Sequence, residues 1–254
     1  MDYSVCVSSV YMGRPFEEGV RRAAALGYRS FEFWGCPPEI LEAANRARRE
    51  TGLKVKAFCA NMVPLTQPER HGEYMERLRE DIKSARRLEA ELLLAQVGPE
   101  LPDVPRAAQH EAIVQGLKAC APLLEDAGVV LAVEPLNALV DHKGYYLTRS
   151  GEGFDIVREV DSPAVRLVFD VYHQQISEGN ILSNLLPNLD LVCHVHIAGN
   201  PGRHEPLIDS EVHYPTIINA LRRAGYRHDV GLEYIPAGDA DESLRRILQE
   251  MPAG

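Results

Sequence analysis

The chain has 254 residues, of which 45% are hydrophobic and 25% charged, the balance of an ordinary globular protein. Its formal net charge of −10 at pH 7 argues against a nucleic-acid partner, because proteins that bind polyanions present a basic face. No apolar run reaches the roughly 18 residues of a membrane span, and the opening MDYSVCVSSVYMG lacks the charged head and long apolar core of a signal peptide.

Short β-rich runs alternate with amphipathic stretches along the whole chain. YSVCVSSV (3–10) reads as a strand, followed by FEEGVRRAAALG (16–27), a helix that stops at glycine. RSFEFW (29–34) precedes PEILEAANRARRETG (38–52), which ends the same way, and VKAFCAN (55–61) precedes EYMERLREDIKSARRLEA (73–90). LLLAQV (92–97) leads to AAQHEAIVQGLKACAPLLEDAG (107–128), and VVLAVEPLN (129–137) to GEGFDIVREV (151–160). RLVFDVYH (166–173) is followed by ILSNLLPNL (181–189), whose internal Pro187 makes it the poorest helix of the set. LVCHVHIA (191–198) leads to YPTIINALRRAG (214–225), and VGLEYI (230–235) to ADESLRRILQEM (240–251).

Eight strands, each followed by a helix, predict an α/β fold of the closed (β/α)₈ TIM-barrel type, and the length matches the usual size of about 250 residues. A doubly wound sheet would carry a glycine-rich phosphate turn, and neither GxGxxG nor GxxxxGK[ST] occurs. Nothing marks a linker, so residues 1–254 read as one domain. The five cysteines form no CxxC, and several sit in apolar runs. They are expected to be reduced, packed thiols of a cytoplasmic protein.

In such a barrel the chemistry lies at the C-terminal ends of the strands. Four consecutive strands each carry a metal-competent side chain there: Glu134, Asp170, His196 and Glu233. Each carboxylate on its own is equally explained by an arginine partner or a helix cap, and an isolated HxH by satisfied core histidines. Four at one end of consecutive strands favour a site. Three carboxylates and one imidazole suit one hard divalent ion, Mn²⁺ or Mg²⁺, with Co²⁺ and Zn²⁺ as secondary candidates. His194 shares the face of His196 one pleat deeper, and is expected to orient a ligand or touch the substrate. Trp34 is either an apolar wall for a sugar face or a core residue, and Gln96 is placed to hydrogen-bond a substrate hydroxyl. His71, His110, His213 and His228 fall in helices or loops and are expected to face solvent.

VEPLN, the DxxH of FDVYH, HVHIAGNPGRHEP and GLEY together resemble the xylose-isomerase-like superfamily of sugar isomerases and epimerases, most closely its hydroxypyruvate isomerase branch. The resemblance is strongest over residues 129–236 and only architectural before them. It implies that Glu134, Asp170, His196 and Glu233 are metal ligands. It also implies that Glu134 and Glu233 move the proton, and that His173 and Arg203 contact substrate oxygens. Arg203, with its two-pronged guanidinium, suits a carboxylate or phosphate on the substrate, the alternative being a surface ion pair. His204 and Glu205 are expected to order that loop or contact another subunit. Two positions depart from the pattern: hydroxypyruvate isomerases often have Gln where His196 stands, and ketose 3-epimerases often have Glu where Val140 stands.

The implied activity is metal-dependent isomerisation of a small hydroxy-carbonyl compound through an enediolate. Ketose 3-epimerisation or another sugar or inosose isomerisation is the alternative. An abasic-site endonuclease and a non-catalytic sugar-binding barrel rank lower. The expected partner is a small-molecule substrate, with no nucleic acid and no membrane, and the sequence is compatible with a homo-oligomer.

Overall fold

A computed structural model describes residues 1–251, so residues 252–254 of the expected domain lie outside the described range. The strands are β1 (Tyr3–Cys6), β2 (Ser30–Phe33), β3 (Lys54–Cys59), β4 (Leu92–Ala95), β5 (Val130–Val133), β6 (Val165–Asp170), β7 (Val192–Ile197) and β8 (Val230–Leu232). They pair in sequence order, all parallel, and β8 closes on β1. This is the (β/α)₈ barrel that the alternation predicts.

The outer layer holds α1 (Val7–Val10), α2 (Phe16–Ala25), α3 (Pro38–Thr51), α4 (His71–Leu88), α5 (Arg106–Ala127) and α6 (Ser150–Val160). It continues through α7 (Val171–Ser177), α8 (Ile181–Leu185), α9 (Tyr214–Arg223) and α10 (Ala240–Glu250). The glycine stops hold where a left-handed residue is required: Gly52 and Gly128 follow α3 and α5 at φ of 77° and 67°. None of the described helices is long and apolar enough to cross a membrane.

Period-two alternation sorts each strand's side chains between two cores. Leu93, Leu131, Val133 and Leu167 face the helices, whereas Leu92, Leu94, Ala132 and Val168 fill the barrel. Each fully buried aliphatic side chain contributes about 1.5–3 kcal/mol.

Three expected elements are corrected. The first strand stops at Cys6 and runs into a single helical turn. The sixth stops at Asp170, because the Asp170 carboxylate accepts from the backbone N–H of Tyr172 and His173 and starts α7. The segment 181–189 breaks after Leu185 into a 3₁₀ turn, Leu186–Leu191, with Pro187 in its first positions. All five cysteines are free; burial pushes the Cys120 and Cys193 thiols up to about 12. Two histidines also differ from expectation. His71 is half-buried against the Leu65 carbonyl at 2.9 Å, and half-buried His110 lies between Glu152 and Glu159. His213 and His228 are exposed.

Candidate active site

The same alternation aims the polar side chains. Two positions beyond the barrel-filling Leu94, Ala132 and Val168 stand Gln96, Glu134 and Asp170, and the inward-facing Gly231 is followed by Glu233 in the same way. Glu134 and Glu233 each lie one residue past the end of a strand. Their backbones stay anchored, Glu134 N–H donating to Ala95 at 3.0 Å and Glu233 N–H to Ile197 at 3.3 Å. Asp170 spends Oδ1 on the α7 N-terminus, with bonds of 2.8 and 3.2 Å, and leaves Oδ2 for the mouth.

Nδ1 of His196 faces Glu134 Oε1 at 3.2 Å and Glu233 Oε2 at 3.3 Å. Glu134, Asp170, His196 and Glu233 are all buried, and each offers one donor atom within 4.8 Å of the others. Arg203 closes over them: its Nη2 is 2.7 Å from Glu233 Oε2 and 3.6 Å from Asp170 Oδ2, and its Cζ lies 5.1 Å from the Tyr172 ring centroid. Trp34 Nε1 donates to Glu233 Oε1 at 2.6 Å.

The electrostatics follow from this packing. Burial opposes ionisation of Glu233, but Arg203 and His196 outweigh it and hold the carboxyl well below its usual range. Burial likewise opposes the charge on His196, yet Glu32, Glu134 and Glu233 raise its pKa well above the ordinary value. Asp170 goes the other way, raised by burial despite Arg203. Taking a carboxylate out of water costs several kcal/mol unless it is compensated. Glu233, Asp170, Glu134 and Asp141 all act on the permanent charge of Arg203, and four carboxylates around one guanidinium leave room for further positive charge. Oxygen donors with one imidazole suit Mn²⁺ or Mg²⁺.

The cavity above this cluster has a volume of about 790 Å³, and Trp34, Gln96, Glu134, His173, Arg203 and Glu233 all line it. Trp34 is 43% exposed, which rules out the core alternative. The Gln96 carbonyl oxygen is buried without a partner. His173 Nδ1 lies 3.3 Å from the Asn137 N–H and 2.7 Å from Asn137 Nδ2, so it accepts and Nε2 carries the hydrogen. That Nε2 has no hydrogen-bond partner, and burial reinforced by Arg203 lowers the His173 pKa to about 3.

Two sequence expectations change. Arg203 is no surface ion pair; its side chain is 16% exposed and its guanidinium already engages two of the carboxylates. His194 is absent from the cavity wall. It sits beneath His196, fully buried, and its Nε2 is 2.9 Å from Glu32. In the loop, the Gly199 N–H donates to the His204 carbonyl at 2.7 Å, His204 Nδ1 donates to the Ile235 carbonyl at 2.9 Å, and Glu205 accepts from the Ala237 N–H at 3.1 Å. These bonds order the loop, as one of the two expected roles required.

A family model described as "Xylose isomerase-like TIM barrel" matches residues 20–250. The chain belongs to this family. Among its curated relatives, a human protein named putative hydroxypyruvate isomerase is 30% identical over 239 residues, covering 89% of this chain and 86% of that one. The 2-oxo-tetronate isomerase of Cupriavidus necator is 28% identical over 253 residues, 95% of each chain. A Brucella melitensis crystal structure titled AP endonuclease, family 2, superposes with a TM-score of 0.90 at 27% identity, covering 98% of this chain and 99% of that one.

Within this xylose isomerase-like barrel, several cavity residues have no role assigned from the sequence: Met62 after β3, and His142, Lys143 and Tyr145 after β5. They lie in loops without periodicity, so only the folded chain shows where they go. Glu32 is different. The alternation in SFEFW puts it on the face of Ser30 and Trp34, a signal that period-two spacing carries in the sequence itself.

Proposed function

We propose that this chain is a divalent-metal-dependent isomerase of small α-hydroxycarbonyl compounds of the hydroxypyruvate or 2-oxo-tetronate type. One observation carries the reading: two buried glutamates, Glu134 and Glu233, flank His196 at 3.2 and 3.3 Å in one cavity. The names of the curated relatives and the acidic net charge of −10 support a small-molecule substrate over duplex DNA.

Glu134, Asp170, Nδ1 of His196 and Glu233 would hold the ion. When bound, Mn²⁺ or Mg²⁺ supplies Lewis acidity toward adjacent carbonyl and hydroxyl oxygens. One glutamate takes the proton from the hydroxyl-bearing carbon, and the C–H electron pair moves into the neighbouring carbonyl to give an enediolate. The proton that this glutamate has taken up, exchangeable with solvent, is then returned within the site to the former carbonyl carbon, which leaves both glutamates as they began. A proton shift between the two oxygens then completes the isomer with no atom gained or lost. His173 presents its Nε2–H to a substrate oxygen, and Arg203 offers its remaining N–H groups beside Glu233. Trp34 and Gln96 form the uncharged wall for the non-reacting part of the substrate.

Because the two glutamates flank the site, return of the proton to the opposite face of the same carbon, an epimerisation, is the second reading. Turnover of hydroxypyruvate and 2-oxo-tetronates with Mn²⁺ in D₂O, followed by NMR, tests both. Deuterium on the neighbouring carbon is expected, deuterium on the original carbon with inverted configuration indicates epimerisation, and full retention of protium overturns proton transfer by the glutamates.

A further inference from the structure

Beneath the proposed ion site lies a second buried cluster, Glu32, His194 and His196, of which the proposed chemistry uses only His196. Glu32 comes from β2, across the barrel from β7, and is 1% exposed. Its Oε2 is 2.9 Å from His194 Nε2 and 3.5 Å from His196 Nε2. His196 thus has a carboxylate at each end of its ring: Glu134 and Glu233 at Nδ1, and Glu32 at Nε2. The space is kept by a glycine. A Cβ at Gly231 would lie 2.3 Å from Glu32 Oε1, 2.5 Å from His196 Cδ2 and 2.8 Å from His194 Nε2, closer than such atoms approach.

We infer that Glu32, oriented by His194, is a positioning residue: when an ion takes the Nδ1 lone pair of His196, Glu32 faces the one remaining ring proton, on Nε2 at 3.5 Å, and so favours that form. The inference rests on the metal reading above. A histidine can present Nδ1 as a donor atom only in the tautomer whose hydrogen is on Nε2, and a carboxylate facing Nε2 selects that tautomer and fixes the ring plane. His194 donates from Nε2 to the same Glu32 oxygen, which holds the carboxylate at the centre of the barrel.

The test is calorimetric titration of Mn²⁺ alone into the wild-type chain and into Glu32→Gln, with the melting temperature of each recorded. Loss of such an outer carboxylate is expected to weaken Mn²⁺ binding about 10–100-fold, and Glu32→Asp, which restores the charge, should recover part of the loss. A purely packing role would lower the melting temperature and leave Mn²⁺ affinity within threefold of wild type, and that result overturns the inference. Should Glu32→Gln not fold, Glu32→Asp decides alone: weakening beyond threefold supports the role, and unchanged affinity overturns it. A wild-type chain that takes up no Mn²⁺ would bring down the metal reading itself, an outcome distinct from wild-type binding with an unaffected Glu32→Gln.

Discussion

The two halves of the barrel mouth are built from opposite materials. Around β5 to β8 the strand-end positions are Glu134, Asp170, His196 and Glu233, all capable of carrying charge. Around β1 to β4 they are Cys6, Trp34, Cys59 and Gln96, all uncharged, since burial pushes the Cys59 thiol up to about 12 and holds the Cys6 thiol well above its ordinary range. Glu32, on the neutral arc, is withdrawn one layer below and turned toward the histidines of β7. The contrast assigns tasks. On the proposed function the charged arc would hold the cation and move protons, and the neutral arc would offer a wall that binds without competing for either.

Several experiments break or sharpen that division. The largest effect belongs to the flanking glutamates. Glu134→Gln or Glu233→Gln keeps the shape and removes the base, and is expected to lower kcat by about 10²–10⁴-fold, read by steady-state kinetics with saturating Mn²⁺. A loss below tenfold for both would move the proton transfer elsewhere.

Next comes the charge balance of that arc. Arg203→Ala leaves Glu233 and Asp170 buried without their cation, a change that costs about 3–5 kcal/mol when a buried pair is broken. Thermal melts should therefore show a large drop in chelator and a much smaller one with excess Mn²⁺. Equal drops in both would separate Arg203 from the ion site.

Asp170→Asn should weaken Mn²⁺ binding at least tenfold in titration calorimetry while α7 remains capped, because Asn caps helices about as well as Asp. A normal affinity would remove Asp170 from the ligand set.

The smallest effects are expected on the neutral arc. Trp34→Phe keeps an aromatic wall and deletes the 2.6 Å bond to Glu233, a charge-assisted bond worth about 1.5–3 kcal/mol at most. Gln96→Ala should change KM by less than about tenfold, as loss of one neutral hydrogen bond does, with kcat nearly unaffected. If Gln96→Ala lowered kcat as strongly as Glu134→Gln, the division between the arcs would fail.

The legibility of the two arcs also differs. Glu134, Asp170, His196 and Glu233 stand out in sequence because each interrupts an apolar run at the same end of a strand, and period-two geometry then forces a shared direction. Trp34 and Gln96 carry a weaker version of that signal. His142, Lys143 and Met62 carry none, since loop residues reach the cavity by paths that no local periodicity describes.

Local rules therefore determined the eight-strand alternation, the glycine-stopped helices, the parity of each strand and the identity of the charged end groups. Those depend on neighbours within a few residues, where sterics and hydrophobic spacing act directly. Barrel closure decided the rest. It brought Glu32 of β2 within 2.9 Å of His194, 162 positions away in the chain, and laid Arg203 over Glu233 and Asp170. It also made Gly231 the residue whose missing side chain leaves room for the buried histidines. Such pairings are fixed by register around a closed sheet and by the cost of burying charge without a partner, and neither is written in any single stretch of sequence.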